Sequence, residues 1–157
     1  MAPTPQEITK LLQAHIALDL AAQALAATSG SAAEQDGPIF DHFHDNVEFH
    51  VNGHEFPLAH EVKGADAIKA AATDGTLALV PNVVDYSKPH SAEVLNVIGG
   101  GDSDWAAVVL KASATTFSGK PFNHEWVITI QFDNSGKIVL IKNYPDTLHI
   151  HNILQGA

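Results

Sequence analysis

The stretch from residue 119 to residue 150 constrains the fold more than any other part of the chain. Its sequence is GKPFNHEWVITIQFDNSGKIVLIKNYPDTLHI. Two runs rich in β-branched and aromatic residues, at 122–133 and 137–144, flank the turn sequence Asn-Ser-Gly-Lys. This pattern predicts two strands joined by a hairpin turn.

The same hairpin carries residues suited to acid/base chemistry. His124 and Trp126 share one side-chain parity on the first strand, and Tyr144 and Asp146 stand at the end of the second. A histidine and a carboxylate at the ends of paired strands can form an acid/base pocket without a cofactor.

The rest of the chain predicts helices first and strands afterwards. A long helix is expected at 5–27, because Thr4 can cap it, Pro5 suits its first position and Glu7 completes a capping box. Two shorter helices and further strands follow; they are predicted at 38–44 and 64–73, and at 47–51, 77–86, 91–98 and 105–116. This order favours an α+β fold with an antiparallel sheet. The chain has 157 residues and 45% apolar content, which predicts a single domain spanning residues 1–157.

The net charge of the chain narrows the classes of molecule that it is expected to bind. Eight basic residues, all of them lysine, against 18 acidic ones give a formal charge of −10, which argues against nucleic-acid binding. Without arginine the chain lacks the usual bidentate clamp for phosphate or carboxylate groups. We therefore expect a neutral, hydrophobic small-molecule substrate.

The apolar N-terminal stretch at 8–27 is interrupted by Lys10, His15 and Asp19 and has no basic leader. It is a poor signal peptide and a poor membrane span, so no membrane association is expected. The chain has no cysteine and therefore no disulfide or thiolate metal site. A cytoplasmic protein is expected.

Four segments carry a resemblance to a known family: LLQAHIALDL in the first helix, DNVEFHVNG, GADAIKAA and the terminal SGKIVLIKNYPDT. In this order they resemble the nuclear transport factor 2-like superfamily, in particular the SnoaL-like polyketide cyclases and their ketosteroid isomerase relatives. The resemblance implies a cone: a curved antiparallel sheet wraps a long N-terminal helix, with two shorter helices, around an apolar pocket. It also implies a homodimer formed through the outer sheet face.

The resemblance implies catalytic roles for individual residues of this sequence. The catalytic tyrosine of the isomerases falls on His15, their base on His50, and their later aspartate near Ile128. The aspartate that the cyclases use as general acid/base falls on Asp146. The superfamily's epoxide hydrolases need an Arg-Asp pair that this arginine-free chain lacks, which disfavours their mechanism.

Each candidate also has a structural interpretation. Asp146 can instead cap the C-terminal turn at 147–154, His124 can sit on the rim, and His15 can be a hydrogen-bonded core histidine. His50 has the parity opposite to Phe49 and can be an exposed strand residue. The residues expected to bind substrate are Tyr144, Trp126, Trp105, Phe49 and Ile128, with ordinary packing as the alternative for the aromatic ones.

Histidines also raise a metal hypothesis. His42, His44 and Glu48 partly imitate the metal motif of cupins, but the second cupin motif is missing and the long N-terminal helix does not fit a cupin. His149 and His151 form another pair, interpreted as a solvated tail. We expect neither a metal nor a cofactor.

These observations favour a cofactor-independent acid/base enzyme, namely a cyclase, isomerase or dehydratase acting on a hydrophobic polyketide or terpenoid-like intermediate. Asp146 and His124 are the first candidates for its acid/base pair, with His15 and His50 as the second. A non-catalytic small-molecule binding or dimerisation domain on the same fold is the main alternative, and a metal-dependent cupin-type enzyme is a weaker one.

Overall fold

The computed structural model describes residues 1–29, 37–73, 77 and 83–156. The elements follow in this order: α1 (Pro5–Ser29), a 3₁₀ helix (Pro38–His42), β1 (Phe43–Val51), β2 (His60–Lys63), α2 (Ala65–Thr73), β3 (Ser91–Gly99), β4 (Trp105–Thr115), β5 (Pro121–Phe132), β6 (Ile138–Tyr144) and α3 (Thr147–Leu154).

The start of α1 shows the predicted capping box. The Thr4 backbone N–H and hydroxyl both donate to Glu7 Oε2 at 2.8 Å, and the Glu7 backbone N–H donates back to Thr4 Oγ1 at 3.3 Å. These bonds hold the pKa of Glu7 below its usual value. The exchange satisfies amide groups that a helix N-terminus leaves unpaired, which sets where α1 begins.

The strands form one six-stranded sheet in the order β2-β1-β6-β5-β4-β3. Neighbours are antiparallel except β1 and β6, which pair in parallel. The sheet is therefore mixed rather than wholly antiparallel, because β6 returns beside β1 after the hairpins of β3, β4 and β5. The predicted α+β class, with a long N-terminal helix on the sheet, is confirmed.

One face of the sheet, which we call the inner face, packs against α1 and α2. Ile8 and Leu12 of α1 and Ile68 of α2 join inner-face residues of the strands in a first core cluster. A second cluster lies toward α3 and contains Val51, Phe56, Val84, Phe122, Ile150 and Ile153. Along β5 the even-numbered residues point inward, as the two-residue period of a strand requires.

The differences from the predicted elements are local. Phe43 and His44, predicted at the end of a helix, begin β1, and β2 lies between residues 51 and 64, where neither a helix nor a strand was predicted. The predicted turn at 147–154 is the helix α3. Half of the strand predicted at 77–86, residues 78–82, lies outside the described residues; within its described part, Val84 forms an isolated bridge with Thr116.

By length and composition alone, α1 is long and apolar enough to cross a membrane. This differs from the sequence analysis, which expected a poor membrane span because Lys10, His15 and Asp19 interrupt the apolar stretch. The same test is passed by core helices of globular proteins. Ile8 and Leu12 are buried against the sheet at 1% and 3% exposure, which assigns this part of α1 to the core.

Candidate active site

The candidate site lies on the inner face, between the two core clusters. Here Phe49 of β1, Trp126 and Ile128 of β5 and Asn143 of β6 stay partly accessible, although their strands turn these side chains inward. Trp126 and Ile128 pack against the first cluster, and Phe49 packs against both. Apolar side chains that point inward yet remain accessible are typical of the lining of a ligand pocket.

His124 lies at the α3 end of this region and is 7% exposed. Its ring stacks on Trp126, with centroids 4.8 Å apart, and on Phe122 at 5.7 Å. The pKa of His124 is lowered to about 4, chiefly by burial and to a smaller extent by nearby His149, while Asp146 opposes the shift. The imidazole is therefore neutral at pH 7 and can accept a proton or donate an N–H.

His149 is the residue that the sequence interpretation missed. It was assigned to a solvated tail, but it faces inward from α3, with its ring 5.3 Å from Phe122 and 6.1 Å from His124. Ile150 and Ile153 hold α3 in the second cluster and so turn His149 toward the sheet. The signal was present in the sequence: Asp146 as a cap followed by apolar residues at helical spacing.

Asp146 caps α3, as its structural interpretation predicted. Its carboxylate accepts a hydrogen bond from the His149 backbone N–H at 3.0 Å, and the residue is exposed. Asp146 also raises the pKa of His124, although burial prevails. Its place beside the two histidines is therefore that of a charged neighbour, and its predicted role as the proton-transferring group stays a prediction.

Capping and charge at Asp146 can be separated by two substitutions. Asp146→Ala removes the cap and is expected to lower the free energy of unfolding by about 1 kcal/mol, whereas Asp146→Asn keeps a good cap and should change it by only a few tenths. Urea unfolding at pH 7 measures both. Equal losses for the two variants would contradict the capping role.

Four buried polar atoms of the described residues have no hydrogen-bond partner there. They are His124 Nδ1, His149 Nε2, His15 Nδ1 and Asn143 Oδ1. A buried unpaired polar group costs about 1–3 kcal/mol, so such atoms call for a specific explanation. The two stacked histidines each contribute one, which leaves both imidazoles free to bond to a ligand.

His15 extends the inward stripe of α1 beyond Ile8 and Leu12. Its ring meets Phe40 edge-on at 5.5 Å between centroids. Burial lowers its pKa, and Asp19 one turn further on opposes that shift. His15 thus occupies the protein interior, at the place where the resemblance put a catalytic tyrosine.

Gly37 packs directly on this imidazole. A Cβ atom built at Gly37 would lie 1.8 Å from His15 Nδ1, too close for any side chain. We expect Gly37→Ala to lower the free energy of unfolding by about 1–3 kcal/mol through overpacking. Thermal unfolding measures the loss, and the double variant with His15→Ala should recover most of it. An additive result would contradict the contact.

Three predicted site residues lie on the outer face instead. His50 alternates with inward-facing Phe49, and its Nε2 lies 2.9 Å from Glu48 Oε2. Tyr144 pairs with Val127, which has the outward parity on β5, and is 44% exposed. Trp105 has the outward parity on β4 and is 42% exposed. The structure thus corrects their placement in the pocket, because register sets the face on which each side chain lies.

The segment from residue 53 to residue 59, which precedes β2, packs at the α3 end of the sheet. Phe56 is buried in the second cluster with Ile150 and Ile153, so this segment and α3 close that end together. A surface cleft of ≈ 250 Å³ runs between residues 53–57 and the outward side of α3, where His151 lies. Neither His124 nor His149 lines this cleft.

The residues proposed for a metal site are not brought together. His42 ends the 3₁₀ helix, while His44 and Glu48 lie on β1. Within the described part of the chain, no three His, Asp or Glu side chains form a group that could hold a metal ion. The open sheet with its long helix also differs from a cupin barrel, which removes the fold on which the cupin hypothesis depended.

Comparison with known proteins places the fold. No protein-family model and no curated protein matches the sequence. A structure described as a "Putative Isomerase" from Bacillus subtilis matches with a TM-score of 0.62 at 16% identity, covering 94% of this chain and 92% of that one. An NTF2-like protein of unknown function from Exiguobacterium sp. 255-15 matches with a TM-score of 0.53 at 19% identity, covering 87% of this chain and 98% of that one. TerC, co-crystallised with polyporic acid, matches with a TM-score of 0.58 at 19% identity, covering 87% of this chain and 98% of that one.

The chain thus has a nuclear transport factor 2-like fold, as the sequence resemblance predicted. At 16–19% identity the likeness to these structures shows the fold alone, and the description as an isomerase belongs to the Bacillus subtilis protein.

Proposed function

We propose that this protein is a cofactor-independent acid/base enzyme of the SnoaL-like type. An isomerase or cyclase is the activity class that we propose, since two structural neighbours are each described as a "Putative Isomerase". One observation carries the proposal: two stacked imidazoles, those of buried His124 and half-buried His149, each keep a buried ring nitrogen without a partner among the described residues. Buried histidines with free nitrogens are suited to proton transfer.

The proposed chemistry begins at a carbon next to a carbonyl. The C–H bond breaks, its proton passes to an imidazole nitrogen, and the electron pair moves onto the carbonyl oxygen to form an enolate. The second imidazole donates an N–H to that oxygen, and Asp146 favours the protonated state of His124. Return of the proton to another carbon completes an isomerisation. Attack on a second carbonyl completes a cyclisation, and loss of a β-hydroxyl as water completes a dehydration.

A neutral, hydrophobic substrate suits this site. Phe49, Trp126 and Ile128 offer apolar surface, and the two lysines of the central strands, Lys111 and Lys142, point to the outer face. We propose a polyketide or terpenoid-like intermediate as the substrate. The match to TerC, co-crystallised with polyporic acid, supports an organic ligand in a fold of this kind. Cytoplasmic localisation, with neither nucleic acid nor membrane as a partner, belongs to the same proposal.

Deuterium exchange tests the proposal without knowledge of the natural substrate. The protein is incubated in D₂O with 2-tetralone, a neutral bicyclic ketone, and loss of the protons next to the carbonyl is followed by NMR. We expect exchange faster than in buffer alone, and slower exchange with His124→Phe. Exchange at the buffer rate with a panel of such ketones would overturn the enzymatic proposal.

The non-catalytic alternative is favoured by one observation. A histidine whose pKa is about 4 is a weak base at pH 7, and the unpaired atoms would be satisfied equally well by a ligand that is only bound. A binding domain would take up 2-tetralone, detectable as a change in Trp126 fluorescence, without accelerating exchange.

We also propose a homodimer through the outer face. Ile98 and Trp105 lie on adjacent strands of that face and are 60% and 42% exposed, and Tyr144 is exposed there as well. Exposed apolar patches of this kind mark interaction surfaces. Light scattering should give twice the chain mass of 16.7 kDa, and Trp105→Glu should shift the protein toward the monomer. A wild-type monomer at micromolar concentration would contradict the proposal.

A further inference from the structure

Asn143 is a lone polar side chain in an apolar part of the inner face. It lies on β6 between Val51 of β1 and Ile128 of β5, its Cα partners on either side. Ile141, two residues before it on the same strand, is 3% exposed, as is Val51. A polar residue in these surroundings needs a hydrogen-bond partner or a reason to lack one.

The side-chain oxygen of Asn143 lacks that partner. Oδ1 is buried and has none among the described residues, while the residue as a whole stays partly accessible. The backbone carbonyl, by comparison, has a partner: the Asn143 C=O accepts a hydrogen bond from the Asn52 N–H at 2.9 Å. The backbone carbonyl thus takes part in the pairing of β1 with β6, and the side-chain amide remains available to a ligand.

We infer that Asn143 is a specificity-determining residue that binds a hydroxyl group of the substrate. An amide oxygen accepts from a hydroxyl, and if the amide is turned about, its NH₂ donates to the same group. A hydroxyl is therefore the ligand group that both orientations can serve. The inference rests on the proposed function in assigning the pocket to a substrate, and it names that substrate's chemistry.

Two further observations define the ligand. None of the eight lysines of the chain is buried, and Lys111 and Lys142 on the central strands point outward, so neither of these two lysines would compensate an anionic ligand on the inner face. His124 lies four residues from Ile128 along β5, which is about 13 Å at ~3.3 Å per residue. The hydroxyl thus lies remote from the carbon that reacts at His124. The substrate is an uncharged, elongated compound with a hydroxyl at the end away from the reacting carbon.

A matched pair of probes tests the inference. 2-Naphthol and 2-methylnaphthalene are both uncharged at pH 7 and differ in one hydroxyl. We expect the wild-type protein to bind 2-naphthol about tenfold more tightly, as one good hydrogen bond to an otherwise unpaired group allows. Calorimetric titration measures both affinities.

Asn143→Leu keeps the number of side-chain heavy atoms and removes both polar ones. The affinity ratio should fall to about one, and the midpoint of thermal unfolding should rise by about 3 °C because an unpaired buried oxygen is gone. Asn143→Val serves the same purpose if leucine prevents folding. Asn123→Leu, on the outward parity of β5, is the matched control and should keep the ratio.

The outcomes separate this inference from the proposed function. Three results would overturn the role of Asn143, whatever the deuterium exchange shows. They are a tenfold affinity ratio that persists in Asn143→Leu, equal affinities of the wild-type protein for the two probes, and no binding of either probe. A ratio lost in Asn143→Leu together with no catalysed exchange supports Asn143 as a ligand-binding residue of a non-catalytic domain.

Discussion

Replacing His124 by phenylalanine is expected to slow the catalysed deuterium exchange of 2-tetralone by at least about 100-fold. Phenylalanine keeps an aromatic ring between Trp126 and Phe122, so the stacked arrangement remains while the ring nitrogens are lost. General acid/base groups contribute on the order of 10²–10⁴ to a rate, which sets the expected size.

His151→Phe is the matched control, because His151 lies on the outward side of α3 and is exposed. It should leave the exchange rate unchanged. His149→Phe should lower the rate as well, since His149 supplies the second unpaired imidazole nitrogen. Wild-type rates in His124→Phe, with the fold intact by circular dichroism, would assign the chemistry to other groups, His15 first among them.

The second large effect is a loss of stability on mild acidification. The pKa of His124 falls from 6.5 to about 4 on folding, so the unfolded chain binds a proton more readily than the folded one. The stability that depends on neutral His124 is therefore fully present above about pH 6.5 and is lost as the pH falls toward 4. Between pH 7 and pH 5 the shift corresponds to about 2 kcal/mol.

Urea unfolding of wild type and His124→Phe at both pH values isolates this contribution. The wild type should lose about 2 kcal/mol more than the variant, because His15, whose pKa burial also lowers, acts equally in both proteins. Micromolar protein is needed, since the isoelectric point of ≈ 5.3 lies close to the acidic condition. Parallel losses in the two proteins would show that His124 titrates normally.

Several elements could be predicted from the sequence because their causes are local. Thr4 and Glu7 mark the start of α1 through a bond pattern that spans three residues. The turn between β5 and β6 is likewise local: Asp133 accepts from Ser135 and Lys137 at the position where the turn was predicted. The missed helix α3 had equally local signals, but the capping role of Asp146 was interpreted as that of a turn.

The candidate site was predictable only in part. The two-residue period of a strand predicts that His124, Trp126 and Ile128 share a face, and the structure places all three on the inner one. Tyr144 was assigned to the same pocket because it ends the partner strand. The pairing between β5 and β6 shifts register between Gln131 and Phe132, and Tyr144 pairs with the outward-facing Val127. Such a shift changes the face of a residue and leaves no mark in the local pattern.

The class of fold, the inward row of β5, the acidic net charge and the residue types available for acid/base chemistry follow from the amino-acid sequence alone. Three features became visible only in the folded chain: the contact between His149 and His124, the lack of a partner for Asn143 Oδ1 among the described residues, and the outward orientation of His50 and Trp105. The two groups of features differ in the range of the interactions that produce them. Caps, turns and strand periodicity arise from neighbours in the chain, whereas strand pairing, register and the docking of α3 depend on contacts between distant segments.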